Sequence, residues 1–264
     1  MIPKIIHYCW FGGSPLPESA LKCIASWRKF LPNYEIKEWN EKNFPIEECP
    51  LYAKQAYAEK KWAFVSDYAR FKILYDYGGL YFDTDVEVIK SLDDIIECGS
   101  FMGCGSENET NPGLGLAAAP GLGLAAAPGL GLYREILDYY NTSEFDASGN
   151  ITVVQIVTEI LKKKGFKATS EIQYIEGVRF YPPEYFSPID YSTGRLTVTK
   201  NTRSIHHYDA SWMEPKDKYA QIKARALRRI LPSKMAGLMA EFLAVLKFEG
   251  ANHALKKLIK WIQR

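Results

Sequence analysis

Short apolar segments alternate between strand-like and helix-like periodicity over the first 214 residues of the chain. Residues 3–13 and 34–39 are predicted strands on either side of a helix over residues 17–30. That order is typical of a parallel sheet with helices on its faces. The same patterns predict further helices over 52–59, 92–96, 133–140 and 150–164, and further strands over 86–89, 100–103, 172–175, 178–181 and 196–199.

Residues 62–88, WAFVSDYARFKILYDYGGLYFDTDVEV, form the segment around which the chain is organised. Apolar residues at helical spacing predict a helix in its first half, and the Gly-Gly pair ends that helix because glycine tolerates left-handed dihedral angles. Leu80–Phe82 then form a wholly apolar strand of the kind buried in a parallel sheet. This strand delivers Asp83 and Asp85 to its carboxyl end, where open α/β sheets bind ligands.

Asp83 and Asp85 are two residues apart, so in a strand both carboxylates face one small volume. They repel each other unless a cation lies between them. Hard divalent ions such as Mg²⁺ and Mn²⁺ are typically held by one or two carboxylates together with substrate phosphates. A solvated turn is the alternative for an isolated Asp-Thr-Asp, but the surrounding pattern SDxxRxxxLxxxGGxYxDxD favours the metal site.

The string SDYARFKILYDYGGLYFDTDV resembles the sugar-binding DXD region of glycosyltransferase family 32. The similarity extends to IPKIIHYCWFGG near the start of the chain and in part to IHHYDASW, so it covers most of residues 1–214. The family includes fungal initiating mannosyltransferases and bacterial capsular polysaccharide transferases, and it resembles the catalytic domain of large clostridial glucosylating toxins. The resemblance implies an α/β fold of the GT-A type, in which helices flank a Rossmann-like, mostly parallel central sheet.

The resemblance also implies a retaining, metal-dependent transferase. It would move a hexose or related sugar from a nucleotide-diphosphate donor to a saccharide or lipid-linked saccharide in capsular or cell-surface polysaccharide synthesis. A UDP-sugar is favoured over a GDP-sugar, although the sequence does not identify the donor base. Asp85 is expected to hold Mn²⁺ (or Mg²⁺) directly, with Asp83 assisting directly or through water.

Asp67 and Arg70 lie three residues apart on one face of the predicted helix. The resemblance implies that both contact hydroxyls of the donor sugar, and arginine suits this because its fork donates several hydrogen bonds and keeps its charge. The alternative is a surface ion pair that contributes a few tenths of a kcal/mol, in the usual range of such helix pairs.

Further donor contacts are expected at the predicted strand ends. Trp10 offers a flat face on which a uracil or guanine ring can stack. The resemblance implies this role for Trp10 and implies that neighbouring backbone, at Cys9, contacts the edge of the base. Tyr81, Asn111 and Trp212 complete the expected donor site, whereas His7 is predicted to be a core histidine with satisfied hydrogen bonds.

Residues 204–212, SIHHYDASW, form a second chemical cluster. Imidazole nitrogen ligates Mn²⁺ alongside carboxylates, so His207 is the predicted third ligand, ahead of His206. Asp209 and Ser211 are alternatives. A packed aromatic corner with solvent-facing histidines is the structural alternative for the whole segment.

Two other functions fit parts of the sequence. YFDTDVEV is superficially similar to the nucleophile motif of haloacid-dehalogenase-like phosphohydrolases, but here it follows some 80 residues and no later G-D-x-x-x-D occurs. A non-catalytic carbohydrate or membrane adaptor is disfavoured by the intact set of acidic and basic residues. For the transferase itself, the sequence leaves open a covalent intermediate or front-face attack, because no carboxylate nucleophile is evident.

The net charge of +2 conceals an asymmetry between the two ends of the chain. Residues 215–264 hold 12 Lys and Arg against 3 Asp and Glu, a net of +9, whereas residues 1–214 hold 21 against 28, a net of −7. The tail has apolar stripes at helical spacing, so a catalytic domain over 1–214 and a basic amphipathic helical extension over 215–264 are predicted. Such helices bind anionic membrane surfaces or pack on their own domain. No nucleic-acid partner is expected.

Five cysteines without a C-x-x-C pair favour free thiols in a reducing compartment. The first residues lack a basic region followed by a long apolar core, and no apolar run approaches the roughly 20 residues that span a bilayer. We therefore expect a cytoplasmic protein, with the inner face of the plasma membrane as a second location.

An exact repeat interrupts the α/β pattern: GLGLAAAP occupies 113–120 and again 121–128. The period of eight matches no solenoid class. We expect one copy to form a strand that leads into the next helix and the other to bulge as a loop.

Overall fold

The computed structural model describes residues 1–106, 117–146, 151–209 and 213–262, the last five as backbone only. Two compact units divide the chain. The first comprises 1–188 and 197–208, and the second comprises 189–196 and 209–264. The domain boundary after residue 214 stays a prediction.

The first unit contains the α/β part of the fold. Its described strands are β1 (Ile5–Cys9), β2 (Glu35–Trp39), β3 (Gly79–Tyr81), β4 (Val86–Val88), β5 (Phe101–Gly105), β6 (Ala117–Ala118), β7 (Leu124–Ala126), β8 (Gln173–Ile175), β9 (Val178–Tyr181) and β10 (Ser204–His206). Its described helices are α1 (Glu18–Phe30), α2 (Leu51–Ala58), α3 (Trp62–Tyr77), α4 (Asp93–Glu97), α5 (Gly131–Thr142), α6 (Val153–Lys162) and α7 (Pro183–Phe186), with 3₁₀ turns at Ile46–Glu48 and Pro120–Leu122.

Within the described residues, eight strands form one sheet in the order β2-β1-β3-β7-β5-β9-β8, and β6 pairs with β5 beside this path. The pairs β2–β1, β1–β3 and β5–β9 are parallel, and the remaining pairs are antiparallel. Successive strand residues enter two different hydrophobic clusters, as Leu80 and Tyr81 of β3 do. Helices α2, α3, α5 and α6 contribute to one cluster, and α1, α4 and α7 to the other. The expected α/β class with a C-terminal helical extension is confirmed.

The turn between α3 and β3 depends on its two glycines. Gly78 and Gly79 have φ angles of 64° and 101°. A Cβ on Gly79 would lie 2.7 Å from the carbonyl oxygen of Ile5 and 3.0 Å from His7 Nε2, so β3 can approach β1 only without a side chain here.

His7 joins that turn to the neighbouring strand. Its Nδ1 accepts a hydrogen bond from Trp39 Nε1 at 3.0 Å, and its Nε2 lies 2.9 Å from the carbonyl oxygen of Gly78. Because the indole can only donate, Nε2 carries the proton and donates to Gly78. The prediction that His7 is a satisfied core histidine is confirmed.

Two parts of the predicted strand pattern were wrong. Residues 196–199 form no strand: only Leu196 makes an isolated bridge, to Ile189. Leu196 and Val198 are 47% and 53% exposed, so the alternating pattern buries nothing there. Conversely, β10 was not predicted as a strand, and it pairs antiparallel with β4.

The two copies of the repeat form short strands that both pair with β5. Part of the first copy is β6, which pairs with Cys104 and Gly105, and part of the second is β7, which pairs with Phe101 and Met102. The expected bulge is therefore wrong for residues 117–128. The copies meet at Pro120–Leu122, and β7 lies between β3 and β5 in the sheet.

The second unit consists mainly of three helices, α8 (Pro215–Leu227), α9 (Ser233–Glu249) and α10 (Ala251–Ile262). Arg229, two residues after α8, donates hydrogen bonds to the carbonyl oxygens of Thr193 and Gly194, which ties residues 189–196 to this unit. Among the described helices, none has both the length and the apolar character needed to cross a membrane.

Candidate active site

Asp83, Asp85 and His206 come together at the carboxyl end of β3. One possible ligand atom from each residue lies within 4.8 Å of the other two. His206 Nε2 is 3.1 Å from Asp85 Oδ1. The three side chains are partly exposed, so a small ligand in solvent can reach them.

The pairing of β10 with β4 brings the histidine to the aspartates. His206 lies opposite Val86, and the backbone N–H of His207 donates to the carbonyl oxygen of Asp85 at 3.0 Å. Because successive residues of a strand point to opposite faces, the two histidines diverge. His206 joins Asp83 and Asp85, whereas His207 Nε2 lies 2.9 Å from Glu87 Oε2. The structure thus groups His206, and not the expected His207, with the aspartates.

Arg70 lies behind this cluster and contacts two carboxylates. Its Nη2 is 2.9 Å from Asp67 Oδ1 and 3.3 Å from Asp83 Oδ1, and its Nε donates to the carbonyl oxygen of Ser66 at 3.1 Å. The Arg70 and Asp67 side chains are only 5% and 11% exposed. The pair is therefore a buried part of the site rather than the surface ion pair that was the alternative.

Burial and mutual repulsion disfavour the charged forms of the carboxylates. Burial raises the pKa of Asp83, and Asp85 raises it further, while Arg70 and His206 oppose that change. Burial also raises the pKa of Asp67 to about 7, against the effect of Arg70. Burial lowers the pKa of Arg70, but Asp83, Tyr81 and Asp67 outweigh it and the net shift is upward. Arg70 thus keeps its positive charge and stabilises the ionised forms of the neighbouring carboxyl groups.

Tyr81 and Cys9 line the buried side of the cluster. Tyr81 donates its hydroxyl to Asp83 Oδ1 at 3.2 Å, and Arg70 lies over the Tyr81 ring at 5.1 Å from its centroid. Burial raises the pKa of the Cys9 thiol to about 12, so it is a neutral neighbour and not a nucleophile.

Trp10 follows β1 as Asp83 follows β3. Because these two strands are parallel neighbours, both residues lie at the same edge of the sheet. The indole is partly buried and donates from Nε1 to the carbonyl oxygen of Ser14 at 2.6 Å. Asn111, Ser211 and Trp212 lie outside the described residues, and Asp209 belongs to the second unit.

Gly121 is the site neighbour that the sequence did not reveal. Its carbonyl oxygen accepts a hydrogen bond from the Asp83 N–H at 3.2 Å. A Cβ at this position would lie 2.0 Å from Asp83 Oδ2 and 3.3 Å from Arg70 Nη1. The only hint in the sequence was its place at the junction of the two repeat copies.

The donor set fits a divalent cation. Two carboxylates and one imidazole are suitable ligands for Mn²⁺, and the carboxylates also suit Mg²⁺. Asp83 Oδ1 already accepts from Tyr81 and contacts Arg70, which leaves Oδ2 for a ligand. The repulsion that raises the Asp83 pKa is also what a bound cation would relieve.

Residues 17–101 match the family described as a glycosyltransferase sugar-binding region containing a DXD motif. An uncharacterised glycosyltransferase of Acanthamoeba polyphaga mimivirus is 35% identical over 111 residues, which are 38% of this chain and 42% of that protein. Inositol phosphoceramide mannosyltransferase 3 of Schizosaccharomyces pombe is 32% identical over 98 residues, 36% of this chain and 27% of that protein. These matches span less than half of either relative.

Among solved structures, the PaToxG glycosyltransferase is similar to this chain with a TM-score of 0.42 and 20% sequence identity. The match covers 62% of this chain and 70% of that one.

Proposed function

Residues 17–101 belong to the family of glycosyltransferase sugar-binding regions that contain a DXD motif, and from this premise we propose that the chain transfers a sugar from a nucleotide-diphosphate donor to a saccharide. The observation that carries the proposal is the cluster of Asp83, Asp85 and His206 within 4.8 Å of one another, with the buried Arg70 beside it. Two carboxylates and an imidazole can hold a divalent metal ion, and the positive charge of Arg70 favours the diphosphate bound to that ion.

Asp85, His206 and Asp83 Oδ2 are the proposed metal ligands, because Tyr81 and Arg70 contact Asp83 through Oδ1. A divalent cation there would neutralise the negative charge that grows on the leaving diphosphate. Arg70 orients Asp83 and supplies a second, permanent positive charge. Asp67, held by Arg70 and poised between its charged and neutral forms near neutral pH, is the proposed acceptor or donor of a hydrogen bond to a sugar hydroxyl.

Trp10 is the proposed stacking partner of the nucleotide base. It follows β1, which lies beside β3 in parallel, so base and diphosphate sites would lie along one edge of the sheet. A UDP-sugar carrying a hexose is the proposed donor, and a saccharide, free or lipid-linked, is the proposed acceptor. We further propose that the transfer retains the anomeric configuration.

Donor binding is tested by thermal unfolding with UDP-sugars and GDP-sugars, each with Mn²⁺, with Mg²⁺ or with a chelator. A donor at about 100 times its Kd should raise the Tm by about 5 °C or more, and only when metal is present. Asp85→Asn should abolish this shift. Asp76→Asn is the matched control. Asp76 is on α3, but its ion pair is with Lys72 and not with a residue of the candidate site.

An Asp85→Asn protein that keeps the full donor shift contradicts the metal assignment. Hydrolysis of a generic phosphate ester that nucleotide sugars do not affect would favour a phosphohydrolase instead. Where transfer to an acceptor is obtained, NMR of the anomeric proton in the first product distinguishes retention from inversion.

A further inference from the structure

Helix α9 in the second unit buries its smallest side chains. Ala236, Ala240 and Ala244 recur every fourth residue and are 0%, 1% and 0% exposed. The alanine stripe allows close packing against neighbouring helices of the same unit. A soluble amphipathic helix usually buries its larger apolar side chains instead.

The larger apolar side chains of α9 lie on another face and are exposed. Met235, Leu238, Met239 and Leu246 occupy positions i, i+3, i+4 and i+11, which share one side of a helix. They are 54%, 36%, 46% and 40% exposed. We call these four residues the α9 stripe. A row of exposed methionine and leucine on one side of a helix indicates a surface that is covered in use.

The segment that carries the α9 stripe has a net positive charge. The two acidic residues of α9, Glu241 and Glu249, form ion pairs with Lys257 and Lys216 and so add no net negative charge. Residues 215–264 as a whole carry a net charge of +9. Exposed basic residues follow or precede members of the stripe in the sequence, namely Lys234 and Lys247.

We propose that the α9 stripe docks on the surface of an anionic lipid bilayer. The methionine and leucine side chains enter the boundary between headgroups and acyl chains, and lysine side chains reach the anionic headgroups. A second copy of this chain is a poorer occupant, because it would bring a second net charge of +9 against the first. The proposal is independent of the transferase activity, since it needs neither donor nor metal.

The test is flotation of the full chain with lipid vesicles. Vesicles of phosphatidylcholine alone are compared with vesicles that also contain phosphatidylglycerol, at low and at high salt. The chain should float with the anionic vesicles at low salt, and high salt should weaken this binding. Met235→Gln with Met239→Gln should weaken it by about tenfold or more, because two buried apolar side chains are lost.

The matched control is Leu51→Gln with Ile172→Gln, two exposed apolar residues of the first unit that are 51% and 47% exposed. It should bind as the wild type does. Glutamine is a good helix former and the methionines are half exposed, so the α9 variant should keep its Tm.

Four results would overturn the proposal. The wild type could fail to float with anionic vesicles at low salt, or float equally well with neutral ones. The α9 variant and the control could lose binding to the same extent. Finally, light scattering could reveal a dimer that the α9 variant alone abolishes, which would make the stripe an interface between copies. A donor-induced Tm shift that persists in the α9 variant keeps this test separate from that of the transferase.

Discussion

At the scale of single residues, Arg70 fixes the geometry of the candidate site. It joins Asp67 on its own helix, where both side chains are nearly buried, to the partly exposed Asp83 beyond the next strand. The placement of Asp67 and Arg70 was predictable because a helix puts residues i and i+3 on one face. Asp83 and Asp85 were expected to face one volume as strand residues, but they lie in the turn between β3 and β4, where the Val86 N–H donates to the carbonyl oxygen of Asp83. The choice of His206 over His207 was not predictable, because it depends on the register of β10 against β4.

Gly121 is expected to act through Asp83. Gly121→Ala should destabilise the chain by about 1–3 kcal/mol, because the new methyl group overlaps Asp83 Oδ2. In an Asp83→Ala background the same change should cost at least about 1 kcal/mol less, as for coupled neighbours. Urea unfolding of the four proteins measures this coupling. Gly131→Ala, whose Cβ would meet nothing within 4 Å, is the control, and additive effects of Gly121→Ala and Asp83→Ala would refute the contact.

His7 should make the fold sensitive to acid. Burial lowers its pKa to about 4 from an ordinary value of 6.5, so the unfolded chain binds more protons between those values. The contribution of His7 to the free energy of unfolding is fully present above about pH 6.5. It falls as the pH drops toward 4, by on the order of 3 kcal/mol in all. His7→Gln should flatten this part of the free energy of unfolding against pH.

His253→Gln provides the control for that measurement, since His253 is exposed whereas His7 is buried. NMR titration of the His7 ring in the wild type gives its pKa directly. A ring that titrates near 6.5 would contradict the buried neutral histidine.

At the scale of elements, periodicity located those helices and strands that bury one face. It failed for residues 196–199, whose alternating side chains have no sheet to cover, and for β10, which is only three residues long. Neither error is visible in the local pattern, because strand formation depends on a partner elsewhere in the chain.

The repeat offers an element-scale prediction. Because its copies are identical, deleting 113–120 or 121–128 produces the same chain, and Pro-Gly-Leu-Gly still precedes the Leu-Ala-Ala of β7. We expect the shortened chain to keep β7 and the contact with Asp83. It should lose β6, including the hydrogen bond from the Ala118 N–H to Thr158 Oγ1, at a cost of about 1–2 kcal/mol.

Urea unfolding and the metal-dependent donor shift together test the eight-residue deletion. A stable chain that keeps its donor shift is the expected result. A chain that no longer folds would mean that both copies are needed for the sheet.

At the scale of the whole molecule, the two parts of the chain differ in net charge as well as in secondary structure. The α/β part was predictable because its strands and helices follow one another along the chain. The helical tail was predictable as helix, but its pattern alone did not distinguish a buried stripe from an exposed one. In α9 the alanines are buried and the larger side chains are not, which only the packing within the unit decides.

The pairing of β10 with β4 has a consequence for synthesis of the protein. The aspartates leave the ribosome well before the histidine, with 120 residues between Asp85 and His206 in the sequence. A nascent chain of residues 1–101 contains both aspartates and the whole matched region, residues 17–101, yet it lacks His206. Contacts so distant along the chain form late in folding, so the proposed three-residue cation site is complete only when translation of the α/β part is nearly complete.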